Sequence, residues 1–144
     1  MDPRDFNRLA EHLARSKQAS ELRTSVSRSY YAVYHVAARL LRSMGFRVSR
    51  GAAGHAEVQR RLENCGDTQI ECVGYDLHTF RCRRNAADYD LDDTHIEDAV
   101  LALAQARRAA SMIAELESCS AEPRRSQIIA GINLYLEKLR PPRE

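Results

Sequence analysis

Proline and glycine are scarce, 4 and 6 residues among 144, which leaves little punctuation for a meander of short strands. Apolar residues instead recur at helical spacing almost throughout, so the expected class is all-α. No apolar run approaches the roughly 20 residues of a membrane span. The opening MDPRDFNR lacks the basic and then apolar layout of a secretory signal. The expectation is a cytoplasmic protein without membrane association, in one domain over residues 1–144, a length that buries a real core but not two.

The four cysteines, Cys65, Cys72, Cys82 and Cys119, include no CxxC pair. Reduced thiols are expected rather than a disulfide framework, and no metal or other cofactor is expected. Lysine is nearly absent, with 2 against 20 arginines. The small net charge of +2 conceals an asymmetry. Arg23 to Arg61 holds 8 basic residues and the single acid Glu57, whereas Leu62 to Asp98 holds 10 acids against Arg81, Arg83 and Arg84. Two electrostatic faces follow, one suited to a polyanion or to its acidic counterpart within the fold or across a dimer.

Asp2 and Pro3 suit the start of a short helix with Phe6, Leu9 and Leu13 on its apolar side, stopping near Ser16. A long second helix is expected from about Ser20 to Met44, with the seam Leu22, Val26, Tyr30, Val33, Ala37, Leu40 and Met44, and Gly45 as its stop. Its other face carries Arg28, Tyr31, His35, Arg39 and Arg42 at steps of three or four, a basic and aromatic stripe. The glycine-punctuated stretch 45–54 reads as a surface loop, followed by a short helix through His55, Val58 and Leu62. A fourth helix, from about Asp67 to Ala87, has Ile70, Val73, Leu77 and Phe80 in register, and Arg84 continues that buried line in the last turn, where a cation suits the helix dipole. Thr94 and Glu97 have capping-box spacing before a helix with Ile96, Val100, Leu103, Ala106, Ala110 and Ile113 inward. Pro123 restarts the chain into a last helix through Ile128, Ile129, Ile132, Leu136 and Leu139. The architecture expected is an up-and-down bundle of four main helices with short accessory ones.

A guanidinium in line with a core seam needs a partner, because it cannot give up its charge. For Arg84 that partner is a phosphate, or Asp88 four residues on and on the same face. Asn85 either orients Arg84 or caps the helix end. His35 is the candidate general acid or base, one turn after Tyr31 and two after Arg28, or else a histidine at a helix interface. Tyr30, Tyr31 and Tyr34 either stack on unpaired bases or pack in the core. Asp88, Asp90, Asp92 and Asp93 lack the spacing and closing glutamate of a calcium loop. His55, His78 and His95 have no i, i+4 pair that would mark a metal site.

SRSYYAVYHVAARLL, Ser27 to Leu41, and RRNAADYD, Arg83 to Asp90, resemble two signatures of small prokaryotic HEPN (higher eukaryotes and prokaryotes nucleotide-binding) proteins. GHAEVQRRL, Gly54 to Leu62, resembles the helix between them. The resemblance covers about half of the chain and implies a homodimeric helical bundle whose signature arginines line one cleft. In catalytic members an arginine and asparagine, followed by a histidine, cleave RNA without metal. Arg84 and Asn85 match the first two positions, but Asp88 or Tyr89 stands in place of the histidine, so the chain is closer to a branch with Arg-Asn-x-x-Asp-Tyr.

Two functions follow from the resemblance. The first is an RNA-binding protein, or metal-independent endoribonuclease, of a toxin-antitoxin or defence system. Its catalytic set would be Arg84, Asn85, Tyr89 and His35, with Arg28, Tyr31, Arg39, Arg42 and Arg81 on the RNA and Asp88 as the structural partner of Arg84. The second is a non-catalytic antitoxin or regulatory module acting through a protein such as a nucleotidyltransferase. Nucleotide binding in the cleft rests on the family name alone, since no glycine-rich phosphate loop is present.

Overall fold

Every regular element among the described residues, 1–143 of the computed structural model, is a helix: α1 (Arg4–Leu13), α2 (Ala19–Ser43), α3 (Ala53–Glu63), α4 (Thr68–Tyr89), α5 (Ala99–Ser118) and α6 (Arg124–Lys138), with a single 3-10 turn at Thr94–Ile96. The fold is therefore an all-α helical bundle. No helix among these residues is long and apolar enough to cross a membrane.

Helix α2 is the hub, packed by α1, α4 and α5. Its expected seam is inside: Leu22, Val26, Tyr30, Val33, Ala37 and Met44 are buried and Leu40 is partly so. Gly45 ends the helix at φ +93°, a backbone state that only glycine enters without strain. The stripe Ile70, Val73, Leu77 and Phe80 of α4 is likewise buried, and Asp67 caps that helix by accepting from the Ile70 amide at 3.2 Å. Val58 and Leu62 seat α3 in the same core.

Expectations change in α1, α5 and α6. In α1, Leu9 is exposed while Asn7, Ala10 and Ala14 face inward. The small alanines let the helix approach closely, and polar contacts fix its rotation: Asn7 Nδ2 donates to the Ala106 carbonyl at 3.0 Å and Ser25 Oγ to the Ala10 carbonyl at 2.7 Å. In α5 the helix begins after Asp98, whose carboxylate accepts from the amides of Val100 and Leu101, so Thr94 and Glu97 form no capping box. Val100 and Ala110 then face solvent and Ala102, Gln105, Ala106, Ala109, Met112 and Leu116 face inward. Buried Gln105 spans the α2–α5 seam, donating to the Val26 carbonyl at 3.0 Å and to Ser29 Oγ at 2.8 Å. In α6, Leu139 lies past the helix end and is exposed.

The end of α4 is built differently from expectation. The helix runs two residues past Ala87, to Tyr89, and the cation at its C-terminus is Arg23 of α2 rather than Arg84. Arg23 is buried, and its guanidinium donates to the carbonyls of Ala86, Ala87, Asp90, Leu91 and Asp93 and to Glu97 Oε1 at 2.8 Å. The Ala87 carbonyl left open at the helix end is thereby satisfied by a charge of the sign that the dipole favours. This clamp fixes both the last turn of α4 and the acidic segment after it.

Candidate functional site

The sequence-predicted residues converge where the N-terminal half of α2 meets the last turns of α4. Arg84 is largely buried, with 16% of its side chain exposed. Its Nη2 donates to the Tyr31 hydroxyl, its Nη1 to Asn85 Oδ1 at 2.9 Å, and its Nε lies 3.0 Å from Asp88 Oδ2. That last contact is an ion pair too poorly angled to be a hydrogen bond, since Nε has no hydrogen-bond partner. The guanidinium also lies over the Tyr31 ring at 5.0 Å and the Tyr89 ring at 5.5 Å. Asn85 therefore orients Arg84 and does not cap the helix, and Asp88 pairs with Arg84 within the chain. Tyr89 is exposed.

Arg28 is the second guanidinium here. It lies 4.9 Å from the Tyr31 ring centre and 5.3 Å from that of Phe6. Its one hydrogen bond is to Ser27 Oγ at 3.4 Å, and its Nε is buried without a partner. Ser27 in turn donates to Asp88 Oδ2 at 3.2 Å. Among the described residues, no carboxylate oxygen lies within 4.0 Å of Arg28 or of Arg81. Two cations thus border the site without a counterion.

The aromatic part of the site is larger than expected. His35 stacks on Phe6 at 5.9 Å and on Tyr31 at 6.1 Å, and meets Tyr34 edge-on at 5.2 Å. His55, delivered by α3, stacks on Tyr34 at 4.3 Å and meets Tyr30 through a hydrogen bond of 2.5 Å at Nδ1. Tyr30 and Tyr34 are buried, and burial raises the pKa of both phenols, so they stay protonated. Both imidazoles are pushed below their ordinary value, first by burial and then by arginines: Arg39, Arg42 and Arg28 around His35, Arg81 and Arg84 around His55. Neutral rings in a positive field are the result.

Gly54 makes the approach of α3 possible, because a Cβ there would lie 2.1 Å from the Ser49 carbonyl oxygen and 2.8 Å from the Tyr34 hydroxyl. Sequence reasoning does not single out His55 as a site residue; its only signal is its place in the segment Gly54 to Leu62. Its grouping with His78 and His95 does not occur. His78 bonds Gln59 and His95 is solvent-exposed beside Asp93, and no group of three or more His, Cys, Asp or Glu among the described residues is placed to hold a metal ion.

The outer part of the arginine stripe has other work. Arg39 donates to the Met1 carbonyl at 2.9 Å and Arg42 to the Val48 carbonyl at 3.2 Å, so both shape the surface beside His35 but are exposed. Grooves of about 280 Å³ between α1 and α5 and about 340 Å³ between α3 and α6 are lined by none of the site's aromatic, histidine or arginine side chains. The arrangement is an open cationic and aromatic surface able to hold an anion against stacked rings. No family model matches this chain, and no curated protein or solved structure shows significant similarity to it.

Proposed function

We propose that this chain is a HEPN-like RNA-binding protein that holds RNA phosphates at the surface formed by Arg28, Tyr31, Arg81 and Arg84. The observation that carries this reading is the buried, unpartnered Nε of Arg28 on a guanidinium with no carboxylate in reach. A cation left short of partners in a partly dry site is costly alone, and a phosphate supplies both the charge and the acceptors. The exposed ring of Tyr89, with Arg84 on one side, offers a face on which an unpaired base stacks. Arg84 is held by Asn85, Tyr31 and Asp88 before any ligand arrives, the preorganisation that phosphate recognition needs. Arg39 and Arg42 extend the positive field along α2. In this reading the protein is a homodimer and belongs to a toxin-antitoxin or defence system; sedimentation at several concentrations tests the dimer.

A specific observation favours a second reading, a non-catalytic module that docks on a protein such as a nucleotidyltransferase. Tyr89, Leu91 and Val100, around the end of α4 and the start of α5, are all more than 70% exposed, and Arg84 already has an internal counterion. Fluorescence anisotropy with a short labelled RNA at rising salt separates the two. The RNA reading expects affinity to fall steeply with salt through counterion release. No RNA binding, together with salt-insensitive association with a neighbouring gene product, would establish the second.

A further inference from the structure

We infer that His78 and Cys82 are half of a zinc-type metal site that a second copy of this chain completes. The i, i+4 pair that the histidines lack among themselves is made by a histidine and a cysteine on the outer face of α4. Cys82 Sγ lies 3.8 Å from His78 Nε2. Two ligands of a tetrahedral Zn²⁺, a sulfur at about 2.3 Å and a nitrogen at about 2.1 Å, stand about 3.6 Å apart, so the pair needs little movement to take the ion. The imidazole is already turned for it. His78 Nδ1 meets Gln59 Oε1 at 3.2 Å, and Gln59 Nε2 donates to Glu63 Oε1 at 3.1 Å. An ionised carboxylate only accepts, so the Gln59 amide is fixed with its oxygen toward the ring. Nδ1 then carries the proton, and Nε2 presents its lone pair toward Cys82. A carbonyl behind the distal nitrogen is the support that metal-ligating histidines use. Gly74 makes that support possible, because a Cβ there would lie 2.7 Å from the Glu63 amide nitrogen. The close approach sets Gln59, one turn back on α3, against His78, one turn on along α4.

Sulfur and imidazole select a borderline-soft ion over Mg²⁺ or Ca²⁺, which take oxygen. Two ligands do not close a structural zinc site, and no third His, Cys, Asp or Glu among the described residues joins them. The missing two come from the same pair on a second copy, because both ligands stand exposed on a helix face open to one. Tyr75, His78, Cys82 and Asn85 follow one another at steps of three and four and are all exposed, Tyr75 by 58%. That is the spacing of a seam along which a second α4 lies. A two-fold axis beside Cys82 brings the two pairs together as four ligands, two sulfurs and two nitrogens. On binding, each thiol gives its proton to solvent, and the thiolate and the Nε2 lone pair bond to the metal. Two thiolates cancel the charge of the ion, so none is added beside Arg81 and Arg83, the chain neighbours of Cys82.

The test uses the full-length reduced protein, stripped with EDTA and exchanged into metal-free buffer. No RNA is present, so the outcome is independent of the RNA-binding reading. Co²⁺ is the probe, because its spectrum reports both ligand type and geometry. Titration is expected to bring up thiolate-to-cobalt charge transfer and the strong visible bands of a tetrahedral ion, saturating at one ion per two chains. Zn²⁺ should displace the cobalt, and sedimentation should show a mass at least twice that in EDTA; Mg²⁺ should do neither. Cys82→Ser and His78→Ala are each expected to lose the tetrahedral spectrum and the metal-driven association. Cys72→Ser, which removes the other exposed thiol of α4, should behave as the parent. Gln59→Leu should weaken affinity about tenfold or more, and far-UV circular dichroism in metal-free buffer checks the fold of each variant. Absence of charge transfer in the parent, or a parent-like titration by Cys82→Ser, overturns the site. Saturation at one ion per chain with no change in mass overturns its sharing between two copies.

Discussion

Replacing Arg23 with alanine perturbs the fold at the point where α2 holds the end of α4. The residue is 8% exposed, and its side chain donates to five backbone carbonyls and one carboxylate, at 2.8 to 3.2 Å. Hydrogen bonds from a charged donor contribute about 1.5–3 kcal/mol each, but six on one group do not add, because they share one desolvation cost. Removing one partner of a buried, satisfied ion pair costs about 3–5 kcal/mol. That range is the expected loss, a large fraction of the roughly 5–15 kcal/mol typical of a domain. Lysine is expected to recover only part of it, since an ammonium has three donors and cannot reach six acceptors spread from Ala86 to Glu97. Urea denaturation followed by far-UV circular dichroism measures the difference. A loss below about 1 kcal/mol for Arg23→Ala, or full recovery by Arg23→Lys, would refute the clamp.

Four further outcomes follow. Gly54→Ala is expected to cost about 1–3 kcal/mol, read as a lowered Tm, because the new methyl meets the Ser49 carbonyl and the Tyr34 hydroxyl; an unchanged Tm would show that α3 shifts freely. The Asp67 carboxyl is held below its ordinary value by hydrogen bonds from Arg124 and the Ile70 amide. Its contribution is therefore complete above the unfolded pKa and lost as pH falls through the lower folded one, so Asp67→Asn should flatten the acid limb of the stability curve. The ring protons of His35 and His55 should titrate below 6.5 in NMR, and inorganic phosphate should raise both midpoints, since an anion offsets the arginines that depress them. Arg28→Met should leave thermal stability unchanged or raised, because it removes a buried unpartnered nitrogen while keeping an apolar stem against Phe6 and Tyr31.

The elements that a periodic pattern can specify were legible in the sequence. The α2 seam, the α4 stripe and the Gly45 stop all follow from local spacing and backbone chemistry. The Arg84–Asp88 pair was legible too, because four residues along a helix is a local distance. What was not legible depends on distant partners. Arg23 sits among ordinary helix residues, and its acceptors lie 63 to 74 positions away. The rotation of α1 is decided by a bond from Asn7 to the Ala106 carbonyl, 99 positions on, so the larger Leu9 loses the inward place to alanines. Asp98 outcompetes Thr94 as a cap because Glu97 is engaged by Arg23. In the sequence His55 is one of three scattered histidines, and only the packing of α3 on Tyr30 and Tyr34 makes it part of the site.

The central claim, that phosphates of RNA settle on the Arg28 and Arg84 surface, is tested most directly by the salt dependence of binding. The dissociation constant of a 2′-O-methyl RNA should be measured for the parent and for Arg28→Met across a salt series. The expected result is a steep linear fall of log affinity with log salt in the parent, and a slope smaller by about one in the variant, because one fewer phosphate is neutralised. Equal slopes and equal affinities for the two proteins would contradict the claim.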